Sequence, residues 1–294
     1  MGFQAYSEGR VTVPPVAELL FPDDHGELHI KYGAVKDDDV FVIKVATGFF
    51  NNPKINLPPF GGCMLVLSQK TGAVEAVLLE AGELTNHRTA AAGAVAAQYL
   101  APQNIHGIGI VGSGVQARLQ AAYLRQVTDC RKLTLWARDP VKAERAANDI
   151  ASMGFDVNLP PNIQDVCSTS NLIVTTTPSK KPLITAEMVR PGTHITAMGA
   201  DSPDKCELDP TLVGKADLVV ADSISQCSTQ GEIHHALEAG IITESDAVEL
   251  GQIIADPPLG RKDDTQITIA DLTGVAVQDI VIAKAIVAAL TGST

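Results

Sequence analysis

A chain of 294 residues with 45% apolar content is long enough for two domains, or one large one, around a sizeable core. Its 34 acidic and 22 basic residues give a formal charge of −12. That balance argues against nucleic acid or an anionic membrane as partner, while leaving room for a small anion in a locally cationic cleft. Cys63, Cys130, Cys167, Cys206 and Cys227 are odd in number, irregularly spaced and free of any C-x-x-C pair. They fit reduced thiols in a cytoplasm better than a disulfide framework. The start has no apolar signal core and no apolar run is long enough to span a bilayer, so a cytoplasmic location is expected.

Residues 1–60 read as short strands and turns, broken by Pro14-Pro15, Pro22-Asp23-Asp24 and Pro58-Pro59. Val40 to Val45 reads as a strand interrupted by Lys44. A buried lysine needs a partner, so Lys44 either ends its strand or faces an anionic site. Gly61 to Ser68 and Ala73 to Leu79, joined through Thr71-Gly72, predict a hairpin. A helix over Ala90 to Leu100 follows, with Thr85 or Asn86 as cap. Arg88 then falls in the first turn, where its charge opposes the helix dipole. Either an anion lies nearby or Arg88 is a solvated surface residue.

Pro102-Gln103-Asn104 reads as a linker, giving domains of 1–104, completed by a C-terminal helix over 275–294, and 105–274. The second opens with a strand (Ile108, Ile110, Val111), a G-x-G-x-x-A turn (Gly112, Ser113, Gly114, Val115, Gln116, Ala117) and a helix. Gly112 permits the tight turn, Gly114 lets a pyrophosphate approach and Ala117 lets helix and strand pack closely, with the phosphates on N–H groups at the helix start. The alternative is an ordinary glycine-containing αβ turn. The next strand, Lys132 to Trp136, ends in Ala137-Arg138-Asp139. An arginine there favours the 2′-phosphate of NADP and an acid the ribose hydroxyl of NAD, so both remain open. Pro140 to Ala151 reads as a helix capped by Asp139, and Ile184 to Val189 as a short helix. Strands at 171–175, 193–198 and 217–221 complete an α/β pattern with a parallel sheet. Thr175, Thr176, Thr177 and the run Gly199 to Asp201 lie at strand carboxyl ends, where ligands bind in such sheets. The adjacent His234-His235 pair lacks metal-ligand spacing, and no metal is expected.

Lys44 in Val-Ile-Lys-Val, Leu84 to Ala92 around Arg88, Gly112 to Ala117, Gly199-Ala200-Asp201 with Lys205 and Glu207, and Asp271-Leu272-Thr273-Gly274 with Gln278-Asp279 together resemble the ornithine cyclodeaminase/mu-crystallin family. The resemblance implies a Rossmann NAD(P)-binding domain beside an α+β substrate-binding and dimerisation domain, and a homodimer acting on a small imino or amino acid. It implies Lys44 and Arg88 as grips for the substrate carboxylate, Asp201 and Lys44 as proton-handling groups, and Thr273 and Gly274 among the residues near the cofactor. Many members carry an additional arginine in the strand before the lysine block; here Lys31 stands in that region and is expected to bind substrate with Lys44 and Arg88, a substitution that argues against a strict ornithine pocket because lysine and arginine grip a carboxylate differently. The chain also reads as lacking the family's usual first helix. The reading is an NAD(P)H-dependent imine reductase or amino-acid dehydrogenase, with iminosuccinate as best substrate. Ornithine cyclodeaminase, and a mu-crystallin-like protein that binds NADPH and a ligand without turnover, are the alternatives.

Overall fold

The computed structural model describes residues 2–292. It divides into two compact units, Met1–Arg88 with Val275–Thr294, and Thr89–Gly274.

The first unit opens with helix α1 (Gly2–Ser7), which the sequence reading left out. The helix is fixed by packing: Phe3 and Ala5 are buried, and a Cβ on Gly2 would stand 2.9 Å from Val281 of the C-terminal helix (Val277–Thr291). Strands β1 (Val11–Thr12), β2 (Ala17–Phe21), β3 (Gly26–Val35), β4 (Val40–Phe49), β5 (Phe60–Ser68) and β6 (Val74–Leu78) form an antiparallel sheet. Its order is β1-β3-β4-β5-β6, with β2 paired to β3. Alternation along β4 sends Val40, Val42 and Lys44 to one face. That face packs with Met64, Val66, Ile280 and Ala283 into the unit's core. Lys44 therefore lies mid-strand on the covered face, opposite Lys31 on β3 and Met64 on β5.

Helix α2 (Glu83–Leu100) starts earlier than the alanine run predicts. The cap is Glu80, whose carboxylate accepts from the backbone N–H of Leu84 at 2.6 Å and of Thr85 at 3.1 Å. Thr85 and Asn86 thus sit inside the helix, and Arg88 lies in its second turn. The expected first-turn conflict with the dipole does not arise. The first unit's N-terminal segment ends at Arg88, inside this helix, whereas the expected linker at 102–104 follows the helix's last residue.

The second unit contains β7 (Ile108–Val111), α3 (Val115–Leu124), β8 (Lys132–Trp136), α4 (Pro140–Ser152), β9 (Asp156–Asn158), α5 (Ile163–Thr169), β10 (Leu172–Thr175), β11 (His194–Ala197), α6 (Pro210–Lys215), β12 (Leu218–Ala221), α7 (Ile224–Cys227), α8 (Glu232–Glu238), β13 (Ala247–Glu249), α9 (Leu250–Ala255) and β14 (Thr268–Asp271). The strands form one parallel sheet in the order β13-β12-β14-β11-β10-β7-β8-β9. It is a Rossmann sheet buried on both sides: Ile108, Ile110, Leu172 and Val174 enter one core, Val111 and Ile173 the other. From β7 the chain winds outward through β8 and β9, then returns to lay β10 on the other flank of β7. The order reverses there, opening a crevice at the carboxyl ends of β7 and β10. The predicted helix at 184–189 is absent. The N–H groups of Leu183 and Ile184 donate to the Glu207 carbonyl, and Ile184 makes a single parallel bridge to Leu208.

Candidate active site

In the first unit, Lys44 and Arg88 converge on Asp279. Lys44 Nζ donates to Asp279 Oδ1 at 2.9 Å and lies 2.8 Å from Oδ2. Arg88 Nε stands 3.1 Å from Oδ1, off the hydrogen-bond direction, and Arg88 Nη1 donates to Gln278 Oε1 at 2.9 Å. The Lys44 and Asp279 side chains are 2% and 1% exposed, so this pair is held out of water. Asp279 occupies the first turn of the C-terminal helix, where a negative charge is favoured by the dipole. Burial pulls the Lys44 ammonium down to about 7 against the opposing pull of Asp279, and Arg88 and Lys31 add to the fall. Burial pushes Asp279 up, but Lys44 and Arg88 outweigh it and its carboxyl sits below the usual range. Two cations thus meet one carboxylate, and Lys31 acts on both partners through its charge.

Asp279 and Gln278 are partners of Arg88, and Asp279 of Lys44 too; the sequence reading quoted both but did not list them as site residues. A polar pair in the first turn of a largely apolar helix was the available signal, since both are buried with Val277 and Ile280.

In the second unit, a cavity of about 360 Å³ opens at the crevice between β7 and β10. Its lining includes Gly112, Ser113, Gly114, Arg138, Thr176 and Thr177, six of the expected cofactor residues. Gly112 has φ +129°, and a Cβ there would meet Thr176 Oγ1 at 2.3 Å. The turn is pinned by Gly112 N–H donating to the Trp136 carbonyl and Thr176 N–H to that of Val111, both at 2.9 Å. No atom lies within 4 Å of where a Cβ on Gly114 would stand, so the turn is bare there. Gly114 caps α3 without a side chain. Arg118 Nη1 donates to the carbonyls of Ser113 at 2.7 Å and Gly114 at 3.0 Å, bracing the turn from behind. This bare, braced turn at a helix start fits a pyrophosphate.

The remaining expected cofactor residues do not line this cavity. Val115 is exposed and Gln116 lies beyond the turn. Ala117 is buried in the core, as close helix–strand packing requires. Thr175 is buried and donates to Glu207 Oε2 at 2.8 Å, and Gly199 N–H donates to the same oxygen at 2.8 Å. Thr273 Oγ1 and Gly274 N–H donate to Asp222 at 3.1 and 2.7 Å. Pro178, expected with Thr175 to Thr177 at a strand's carboxyl end, lines the cavity as well, and Trp136, Lys142, Ser179 and Leu183 line it without having been singled out. Trp136 ends β8 and Ser179 follows β10, whereas Lys142 comes from the first turn of α4 and Leu183 from the segment tied to Glu207. At the adenosine-reading position Asp139 is occupied as helix cap, its Oδ1 accepting from the N–H of Val141 at 3.0 Å and Lys142 at 3.1 Å.

Asp201 lies on the loop after β11, with its side chain 57% exposed and paired to Lys205. His235 Nε2 lies 2.8 Å from the Lys205 carbonyl. Among the described residues no helix is long and apolar enough to cross a membrane.

A model of the ornithine cyclodeaminase/mu-crystallin family matches residues 1–293. An uncharacterized cyclodeaminase of Sinorhizobium fredii is 45% identical over 275 residues, 93% of this chain and 83% of that one. Among solved structures, an archaeal alanine dehydrogenase dimer with bound NAD superposes with TM-score 0.90 at 34% identity, covering 100% of this chain and 90% of the other. The iminosuccinate reductase of Paracoccus denitrificans, in complex with NAD⁺, gives a TM-score of 0.91 at 33% identity, covering 99% and 89%.

Proposed function

The chain belongs to the ornithine cyclodeaminase/mu-crystallin family, and on that premise we propose that it is an NAD(P)H-dependent imine reductase or amino-acid dehydrogenase that makes a small L-amino acid. One observation carries the reading: two cations, Lys44 and Arg88, are gathered around a single buried carboxylate. Such an arrangement retains positive charge for a second carboxylate, that of an imino acid, through charge-assisted hydrogen bonds. Lys31 adds to that field. The likeness to the iminosuccinate reductase supports a dicarboxylic imine, with iminosuccinate giving aspartate as the preferred case.

Gly112, Ser113, Gly114, Arg138, Thr176 and Thr177 are the residues that would hold the dinucleotide, which supplies the hydride when bound. The chain's own residues orient the imino acid and manage the proton. Lys44, titrating near neutrality, can give a proton to an imine nitrogen or hold one there, which makes the carbon a better hydride acceptor. Asp201 is the second proton-handling group in this scheme. The archaeal relative is described as a dimer, and a homodimer is proposed here too.

The likeness to an uncharacterized cyclodeaminase favours a second reading, release of ammonia from ornithine with no net change of cofactor. A keto-acid screen with ammonia and each reduced dinucleotide separates the two. Ammonia-dependent loss of absorbance at 340 nm supports the reductase. Ammonia release from ornithine without such loss supports the cyclodeaminase.

A further inference from the structure

The loop that forms one wall of the dinucleotide cleft is tied down by a single buried acid. Glu207 is completely excluded from solvent. Its Oε1 accepts from Thr177 N–H at 2.6 Å and Thr177 Oγ1 at 2.7 Å. Its Oε2 accepts from Thr175 Oγ1 and from Gly199 N–H, each at 2.8 Å. Thr175 ends β10, Thr177 lines the cleft and Gly199 follows β11, so one carboxylate joins two neighbouring loops. They run so close that a Cβ on Gly199 would stand 2.1 Å from the Thr177 carbonyl oxygen. The Glu207 backbone serves the same wall: its carbonyl accepts at 2.7 Å from Leu183 N–H, and Leu183 also lines the cleft. Glu207 is itself anchored, because Glu232 accepts from its N–H at 2.8 Å and from Leu208 N–H at 2.9 Å.

The chemistry demands an acid at this position. Each carboxylate oxygen faces one backbone N–H, Thr177 on Oε1 and Gly199 on Oε2, and neither can turn to accept. A glutamine would place its amide N–H₂ against one of them. Only an acceptor at both ends holds both loops.

We propose that Glu207 is a positioning residue of the dinucleotide cleft, clamping the loop after β10 to the loop after β11 and thereby setting the wall formed by Thr176, Thr177, Pro178 and Ser179. The same clamp fixes Gly199, two residues before Asp201. The inference rests on the dinucleotide reading of this cleft.

Trp136, the chain's one tryptophan, lines the same cleft and reports binding through quenching of its emission by a reduced nicotinamide. The test titrates the full-length protein with NADH and NADPH. Glu207→Gln is expected to raise Kd about tenfold or more at an unchanged far-ultraviolet circular dichroism spectrum. Thr175→Val, which removes one donor from a residue outside the cavity, is expected to raise it roughly two- to fivefold. An acid with a merely structural role would lower the urea midpoint while the folded variants kept the wild-type Kd, and that result overturns the proposal. If Glu207→Gln does not fold, Thr175→Val decides, and an unchanged Kd there counts against the clamp. A wild-type protein that binds neither dinucleotide removes the reading of the cleft and the clamp with it. Wild-type binding together with unaltered variants removes the clamp alone.

Discussion

Lys44 and Asp279 stand 235 positions apart in the chain yet meet at 2.9 Å, both all but sealed from water. The pairing explains how a lysine persists in the middle of a buried strand: it shares a face with Val40 and Val42 because strands alternate, and the C-terminal helix brings an acid to meet it. Breaking such a pair from one side strands the other charge. Asp279→Asn is therefore expected to lower unfolding free energy by about 3–5 kcal/mol, read from urea melts. A loss within experimental error of zero would mean that the pair does not hold the C-terminal helix to the sheet.

The lowered Lys44 value carries two pH dependences. The protonated ammonium grips a carboxylate, and its fraction falls as pH rises through about 7. The inhibition constant of a non-reducible carboxylate analogue should rise about tenfold per pH unit above that point. Lys44→Arg should flatten the profile, because guanidinium keeps its charge. For stability the sign is the reverse of a stabilised ammonium. Between about 7 and 10.5 the unfolded chain holds the proton that the folded chain has lost, so this group's contribution to stability rises with pH across that window. In Lys44→Met that slope should disappear from urea midpoints measured at several pH values.

The glycine turn separates folding from binding. Gly112→Ala forces a side chain into a left-handed backbone and onto Thr176, so it should lose both stability and dinucleotide affinity. Gly114 has φ −78° with open space at its Cβ position. Gly114→Val should lower unfolding free energy by no more than about 1 kcal/mol, the cost of a poorer N-cap, while abolishing the Trp136 response to NADH and NADPH. Retained binding in Gly114→Val would mean that the phosphates do not cross this turn.

Arg138, Asp139 and Lys142 all line the cavity, and one oxygen of the Asp139 carboxylate, Oδ1, is taken up in capping α4. With two cations against one partly engaged acid, NADPH is expected to bind more tightly than NADH. Arg138→Ala should weaken NADPH roughly 10- to 100-fold and leave NADH nearly unchanged, from the loss of a charge-assisted contact to the 2′-phosphate. Equal losses for both dinucleotides would assign Arg138 to a shared part of the ligand.

The nucleotide-binding half was readable because its signal is local. Ile108 to Ala117 carries strand, turn and helix in adjacent residues, and Asp139-Pro140 announces the next helix. The start of α2 was misread because its cap, Glu80, lies beyond the hydroxyl and amide residues usually credited with that role. The stretch 184–189 was misread as a helix because Ile184 is tied to Glu207 and Leu208, and the apolar residues after it reach the core from a turn rather than from a helical face. Lys44 and Arg88 could be picked out as buried or misplaced charges, but their common partner could not. Asp279 reaches them only through the return of the chain to its first unit, a long-range contact that no short window contains.

The most direct measurement follows nitrogen and electrons together. The protein is incubated with oxaloacetate, ¹⁵N-ammonium and NADPH or NADH, and both the amino acid and the oxidised dinucleotide are quantified. The expected result is ¹⁵N-labelled aspartate formed one-for-one with oxidised dinucleotide, and loss of both in Lys44→Met. Absence of label in any amino acid across a panel of keto acids, alongside ammonia release from ornithine with no net oxidation, would contradict it.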